Sequence, residues 1–150
     1  MVLMIKRVIL WLFVIGIVGF GLIQLVPYGR DHTNPPVVSE PNWDSPATAN
    51  LVTAACADCH SNKAVWPWYS NIAPMSWLIQ RDVDEGRRKM NFSTGNVDAA
   101  ADEAAEKISS NQMPPIQYQI AHPEARLTDV QKAALIAGLL ATFGSSGGGD

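Results

Sequence analysis

One segment divides this chain into two materials. From Val8 to Val26 it reads VILWLFVIGIVGFGLIQLV, with Gln24 as the only polar side chain. As a helix the run is roughly 28 Å long, close to the hydrocarbon thickness of a bilayer. It is apolar all round, which suits lipid better than the one-sided burial of a surface helix. Trp11 and Tyr28 lie toward its ends, where amphipathic rings favour the membrane–water interface. Lys6 and Arg7 precede it, so the positive-inside rule places the N-terminus in the cytoplasm. Residues 1–26 are therefore expected to form a single-pass inner-membrane anchor, contacting lipid through residues 8–26, with the remainder of the chain periplasmic. The competing reading is a cleaved signal peptide. That would want a shorter apolar region and a small-x-small site, whereas this run ends in Gln-Leu-Val-Pro-Tyr-Gly-Arg.

Beyond the anchor the composition changes. Residues 27–46 hold Pro27, Pro35, Pro36, Pro41 and Pro46 among Asn, Ser, Asp and Thr. This cannot be a regular helix and is expected to be an extended, semi-rigid linker, with His32 as a solvated side chain in it. Residues 47–144 read as one small all-α domain. Ser45-Pro46 pairs a cap with proline at the first helical position, starting a helix from about Ala47 into Cys56. Pro74 opens a second, to about Lys89, with Met75, Leu78, Ile79 and Val83 along one side. Asn96 can cap a third, from Val97 to about Ile108. Thr128 and Gln131 make a capping box for a fourth, which carries Val130, Ala134, Ala137 and Leu140 at helical spacing and stops at Gly144. The tail, residues 145–150, reads as disordered. There is no strand-type alternation and no internal repeat.

Charge narrows the partners. Lys6 and Arg7 are the only basic residues before Arg30, which leaves 9 basic against 14 acidic side chains in the rest. That balance argues against nucleic acid and is compatible with a basic docking protein.

The two cysteines stand three residues apart, in Cys56-Ala57-Asp58-Cys59-His60. This is the attachment pattern of a c-type haem. Two thiols about one helical turn apart can reach the two vinyl groups on one porphyrin edge. The next residue then lies under the ring, where its imidazole can bind iron. The rival readings need features that are not visible. A thioredoxin-like pair wants a preceding strand and an α/β fold. A zinc site wants a fourth ligand, for which only His32, His122 or a carboxylate remain. One covalent haem c would also supply much of the core of so small a domain.

A second axial ligand decides between electron transfer and ligand binding. Met113, 53 residues after His60, precedes Pro114-Pro115 in a loop that the prolines stiffen. It is the candidate distal ligand. Met75 and Met90 are rivals that read as packing side chains. His122, in a loop before Pro123, could also reach iron, and a site with no distal protein ligand is possible as well. Trp66, Trp68, Tyr69 and Trp77 carry N–H or O–H handles that, with Arg81, Arg87 or Arg88, could bond haem propionates, although core packing and solvated charge account for them individually.

These features together resemble the small haem-binding domain proteins of bacterial membranes, related to class I c-type cytochromes. The resemblance covers roughly residues 50–143. It is carried by CADCHS at 56–61, WPWYSNIAPMSWLIQRDVDEGRRKMNFS at 66–93, QMPPIQY at 112–118, and the His and Thr-Asp helix start that follow from 122. It implies a cytochrome c-like helical domain around one covalent haem at Cys56 and Cys59, with His60 proximal and Met113 distal. Where the family pattern carries a tryptophan near the end of the last helix, this chain has Phe143.

The expected function is that of a tethered one-electron carrier with redox partner proteins, not an enzyme. A peroxidase would want a distal histidine or arginine over an open iron, and no such pair stands out. A haem-based sensor or gas-binding module with an exchangeable distal site is the competing function.

Overall fold

The computed structural model describes residues 1–95, 97 and 100–144. Among them the chain is all-α, with no strand. The helices are α1 (Val2–Ile23), α2 (Pro46–Ala55), α3 (Ala57–His60), α4 (Met75–Lys89), α5 (Ala101–Ser109), α6 (Ile116–Ala121) and α7 (Asp129–Phe143). Short 3-10 turns cover Trp68–Asn71 and Pro123–Ala125. Helix α1 is long and apolar enough to cross a membrane, and none of its residues is buried in the protein. It starts at Val2, so Lys6 and Arg7 lie within it rather than ahead of it. The chain divides into two compact units, Met1–Thr33 with Trp66–Asp82, and Asn34–Val65 with Val83–Asp150.

In the first unit the end of α1 holds the tryptophan-rich stretch. Gln24 caps α1, and its side-chain amide grips one peptide residue. Nε2 donates to the Ala73 carbonyl (2.9 Å) and Oε1 accepts from the Ala73 N–H (3.0 Å). Arg30 Nη2 donates to the Gln24 carbonyl at 2.7 Å. Gly29, at φ +80°, runs against Ser76, and a Cβ there would lie 2.2 Å from the Ser76 carbonyl oxygen, so only glycine fits. His32 is not the solvated linker side chain expected. It stacks on Trp66 (centroids 4.8 Å, 19°), and its Nε2 lies 2.9 Å from Ser70 Oγ. The reason is a flat apolar partner 34 positions away, which local composition cannot reveal.

The second unit is a small helical core. Ser45 Oγ accepts from the Thr48 N–H (3.2 Å) and Pro46 takes the first helical position, which starts α2. Thr128 and Gln131 form the reciprocal capping box that starts α7. The two helices meet at Gly138, where a Cβ would lie 2.1 Å from Thr48 Oγ1. That approach selects the buried face of α7: Leu135, Gly138 and Leu139. It is not the expected Val130, Ala134, Ala137 and Leu140 stripe, and Val130 is 80% exposed. Residues 133–141 are apolar almost all round, so spacing alone cannot choose a face. In α4, Val83 and Gly86 are buried while Met75, expected on the packed side, is exposed.

The proline-rich stretch before α2 holds no helix, but it turns at Tyr28-Gly29 and from Asn34 onward it is not a free spacer. Asn34 Nδ2 donates to the Ala64 carbonyl (2.9 Å), Asn62 Nδ2 to the Pro36 carbonyl (3.0 Å), and the Val38 N–H to the Ser93 carbonyl (2.8 Å). Trp43 packs edge-on against both Phe92 (5.2 Å) and Phe143 (5.6 Å). Helix α5 begins at Ala101, later than expected; its expected cap, Asn96, lies outside the described residues, as does the tail, residues 145–150.

Candidate functional site

The site grows out of the end of α2. The Cys56 N–H still donates to the Val52 carbonyl (2.8 Å), and the chain then turns into the single-turn α3. There the Cys59 N–H (3.2 Å) and the His60 N–H (2.9 Å) both return to the Cys56 carbonyl. Two thiols and an imidazole therefore follow one another around one helical turn. Burial, with the neighbouring Cys59, pushes the Cys56 thiol up to about 12. A cysteine pair that works by disulfide exchange needs the opposite, a first thiol depressed into the neutral range. That physical reason, added to the all-α fold, counts against a thioredoxin-like pair.

His60 is oriented by backbone. Its Nδ1 lies 3.0 Å from the Met90 carbonyl oxygen. A carbonyl can only accept, so Nδ1 carries the proton and Nε2 presents its lone pair. Burial lowers the imidazole below its ordinary range, against hydrogen bonding to the Met90 and Gly86 carbonyls, which raises it. The net direction favours the neutral form, which is the one that ligates metals. The carbonyls come from the last turn of α4 and the residue just past it, and the Phe92 N–H donates back to the His60 carbonyl (2.8 Å). The Phe92 ring also borders the imidazole, at 6.4 Å between centroids. A fixed tautomer with a carbonyl behind it is how metal-bound histidines are commonly held. Met90, a rival for the distal ligand, gives its carbonyl to Nδ1 and is buried in the helical core, as a packing side chain would be.

Helix α4 reaches this position because residue 86 is glycine. A Cβ on Gly86 would lie 2.4 Å from the Cys59 carbonyl oxygen and 3.0 Å from the Cys59 Cβ. Sequence reasoning missed this residue; a glycine inside an otherwise good helix was the available signal. It also missed Asp58. Tyr118, on α6, donates to Asp58 Oδ2 (2.8 Å), and the Val65 N–H donates to Oδ1 (2.9 Å). Burial first, then the bond to Asp58, raises the Tyr118 phenol well above its usual range, so it stays a donor. His122, the other distal rival, stacks on Tyr118 (4.2 Å, 17°) with Nδ1 3.2 Å from Glu124 Oε1.

Met113 sits in the loop between α5 and α6. Its N–H and that of Gln112 both donate to the Lys107 carbonyl (3.1 and 2.9 Å). Asn111 takes the left-handed conformation (φ +59°) that often ends a helix, and its Oδ1 accepts from Lys132 Nζ on α7 (2.7 Å). Gln119 Nε2 donates to the Pro114 carbonyl (2.6 Å). The loop is held at both ends, while the Met113 side chain is 38% exposed. Met113 and His60 share no hydrogen bond. Of the arginines considered for propionates, Arg87 donates from Nε to the Ser61 carbonyl (2.8 Å) and from Nη2 to Asn34 Oδ1 (2.7 Å). Among the described residues, the indole nitrogens of Trp66 and Trp77 are buried without a hydrogen-bond partner.

A neutral, carbonyl-fixed imidazole directly after two sulfurs on one turn fits haem, and the molecule is of the haem-binding class. The family model for the haem-binding domain matches residues 18–141, and the chain belongs to that family. No curated protein and no solved structure matches it.

Proposed function

We propose that this protein is a membrane-anchored monohaem c-type cytochrome that passes single electrons on the periplasmic side of the inner membrane. In this reading Cys56 and Cys59 hold one haem through thioethers, His60 Nε2 is the proximal iron ligand and Met113 the distal one. Helix α1 crosses the bilayer, the apolar run 8–26 contacts lipid, and the N-terminus is cytoplasmic. The observation that carries the reading is the bond from His60 Nδ1–H to the Met90 carbonyl, which leaves Nε2 as the unprotonated, ligating nitrogen in the turn bearing both cysteines.

Bound haem supplies an iron that alternates between the ferric and ferrous states. The chain's own contribution is to position and to limit movement. The α4 carbonyls keep His60 in one tautomer and one orientation. Tyr118, five residues after Met113, ties the segment carrying Met113 to Asp58 inside the attachment motif. A neutral thioether favours ferrous iron and raises the potential relative to two histidines. The acidic balance, including Asp102 and Glu106 one turn apart on α5, suits a basic redox protein as partner. No enzymatic turnover is proposed.

The exposure of Met113 favours one rival reading, a haem-based sensor whose distal site exchanges ligands. Optical spectra separate the two. A carrier shows a weak charge-transfer band at the red end of the oxidised spectrum, marking sulfur–iron ligation, and Met113→Ala removes it. If the band is absent from wild type and carbon monoxide binds the reduced protein quickly and completely, the sensor reading replaces the carrier.

A further inference from the structure

We infer that the tryptophan-rich stretch 66–77 is an interfacial membrane module, seated in the lipid headgroup region beside the outer end of α1. The inference rests on the reading of α1 as a membrane span and extends it to a part of the chain far away in sequence.

Three observations within the first unit carry it. The first is attachment. The Gln24 side chain, at the end of α1, holds both polar groups of Ala73 (2.9 and 3.0 Å), and Gly29 lets the chain after α1 touch Ser76. Wherever the end of α1 lies, residues 73–76 lie with it. The second is length. Between Arg7 and Gln24 the uncharged helix, Val8–Ile23, extends roughly 24 Å at 1.5 Å per residue, short of the roughly 30 Å hydrocarbon layer. A short span is accommodated by thinning the bilayer or by drawing flanking residues toward it, so the outer end is pulled down to the interface. The third is chemistry. From Ala64 to Gln80 there is no charged side chain, although Lys63 and Arg81 bracket the stretch. Trp68 is 76% exposed, and Ile72 and Met75 are exposed on the same segment. Leu25 (78% exposed), Val26 and Tyr28, which follow α1, are exposed as well. Exposed tryptophan among uncharged residues, fixed to the mouth of a membrane helix, matches the headgroup region, where indole is most favourable.

The test is spin labelling of the holoprotein, whose own cysteines are taken up by haem, in phosphatidylcholine–phosphatidylglycerol vesicles. Single labels are placed through Trp68→Cys, Ile72→Cys, Ile15→Cys within α1 and Val130→Cys as an exposed reference on α7. Collision with oxygen reports lipid, and collision with a water-soluble nickel chelate reports water. The expected result is that labels at 68 and 72 lose most of their nickel collisions relative to 130 while keeping their oxygen collisions; Ile72→Cys carries the test if the tryptophan replacement does not fold. Labels at 68 and 72 as open to nickel as 130, with 15 still shielded, would overturn the inference and leave the anchor standing. Labels at 68 and 72 shielded from both reagents would mean that a protein surface covers the stretch, and would overturn it too. A label at 15 open to nickel would overturn the anchor itself.

Discussion

The segment behind His60 and the segment that bears Met113 are held in different ways. Behind His60 the partners are backbone groups, met by its imidazole and by its own carbonyl. Gly86 brings α4 to within contact of Cys59, the Met90 carbonyl just past α4 accepts from Nδ1, and the Phe92 N–H closes on the His60 carbonyl. Around Met113 the backbone is fixed at Lys107 and, through Tyr118, at Asp58, but the residue itself is partly exposed. The difference teaches how the proposed haem site would divide its work: the His60 imidazole is fixed by the polypeptide around it, while Met113, the proposed distal ligand, is carried on a short, tethered loop. Under the proposed carrier reading, pre-organisation of this kind would limit structural change between redox states.

Gly86→Ala gives the sharpest test of the first half. In an open helix the change would stabilise by up to about 1 kcal/mol. Here the new Cβ meets backbone that cannot rotate away, and overpacking of this kind costs about 1–3 kcal/mol. Thermal unfolding of the two proteins reads the sign. Destabilisation, with less haem attached in cells, is expected, and a gain in stability would show that α4 does not press on Cys59.

Tyr118→Phe tests the second half and should act more mildly. It removes a hydrogen bond to a carboxylate, a loss of about 1–3 kcal/mol at most. The methionine–iron band should weaken or melt at lower temperature in the variant, with haem attachment unchanged. An identical band across the whole melting curve would mean that the tether does not position Met113.

The smallest effect expected is kinetic. In apo protein made without haem attachment, the Cys56 thiol, held near 12, is protonated throughout the neutral range. Its alkylation rate should climb about tenfold per pH unit from 8 to 11, because only the thiolate reacts. A plateau near pH 7 would mark an activated thiol and return the disulfide-exchange reading.

What could be read from the sequence was what local chemistry encodes. The Ser45-Pro46 start of α2 and the Thr128–Gln131 box of α7 are each complete within a few residues. The apolar run that forms α1 speaks through length alone. What escaped depends on partners distant in the chain. Gly86 and Gly138 matter because Cys59 and Thr48 lie against them. His32 and Asp58 look like solvated polar residues until Trp66 and Tyr118 come alongside. The face of α7 was unreadable because nearly every face is apolar, and α6, six residues after two prolines, is too short to show a period. The pairing of Trp43 with Phe143 gives the end of α7 a plain role: its ring closes the aromatic cluster with Phe92.

The central claim is that the haem of this family member is covalently held by the turn at 56–60. The pyridine haemochrome spectrum of the membrane-expressed protein, recorded with haem staining after denaturing electrophoresis, tests it most directly. The account predicts a c-type haemochrome with one haem per chain, staining that survives denaturation in wild type, and no staining in the Cys56→Ala/Cys59→Ala double variant. A b-type haemochrome, with haem lost on denaturation, or a double variant that still stains, would contradict it.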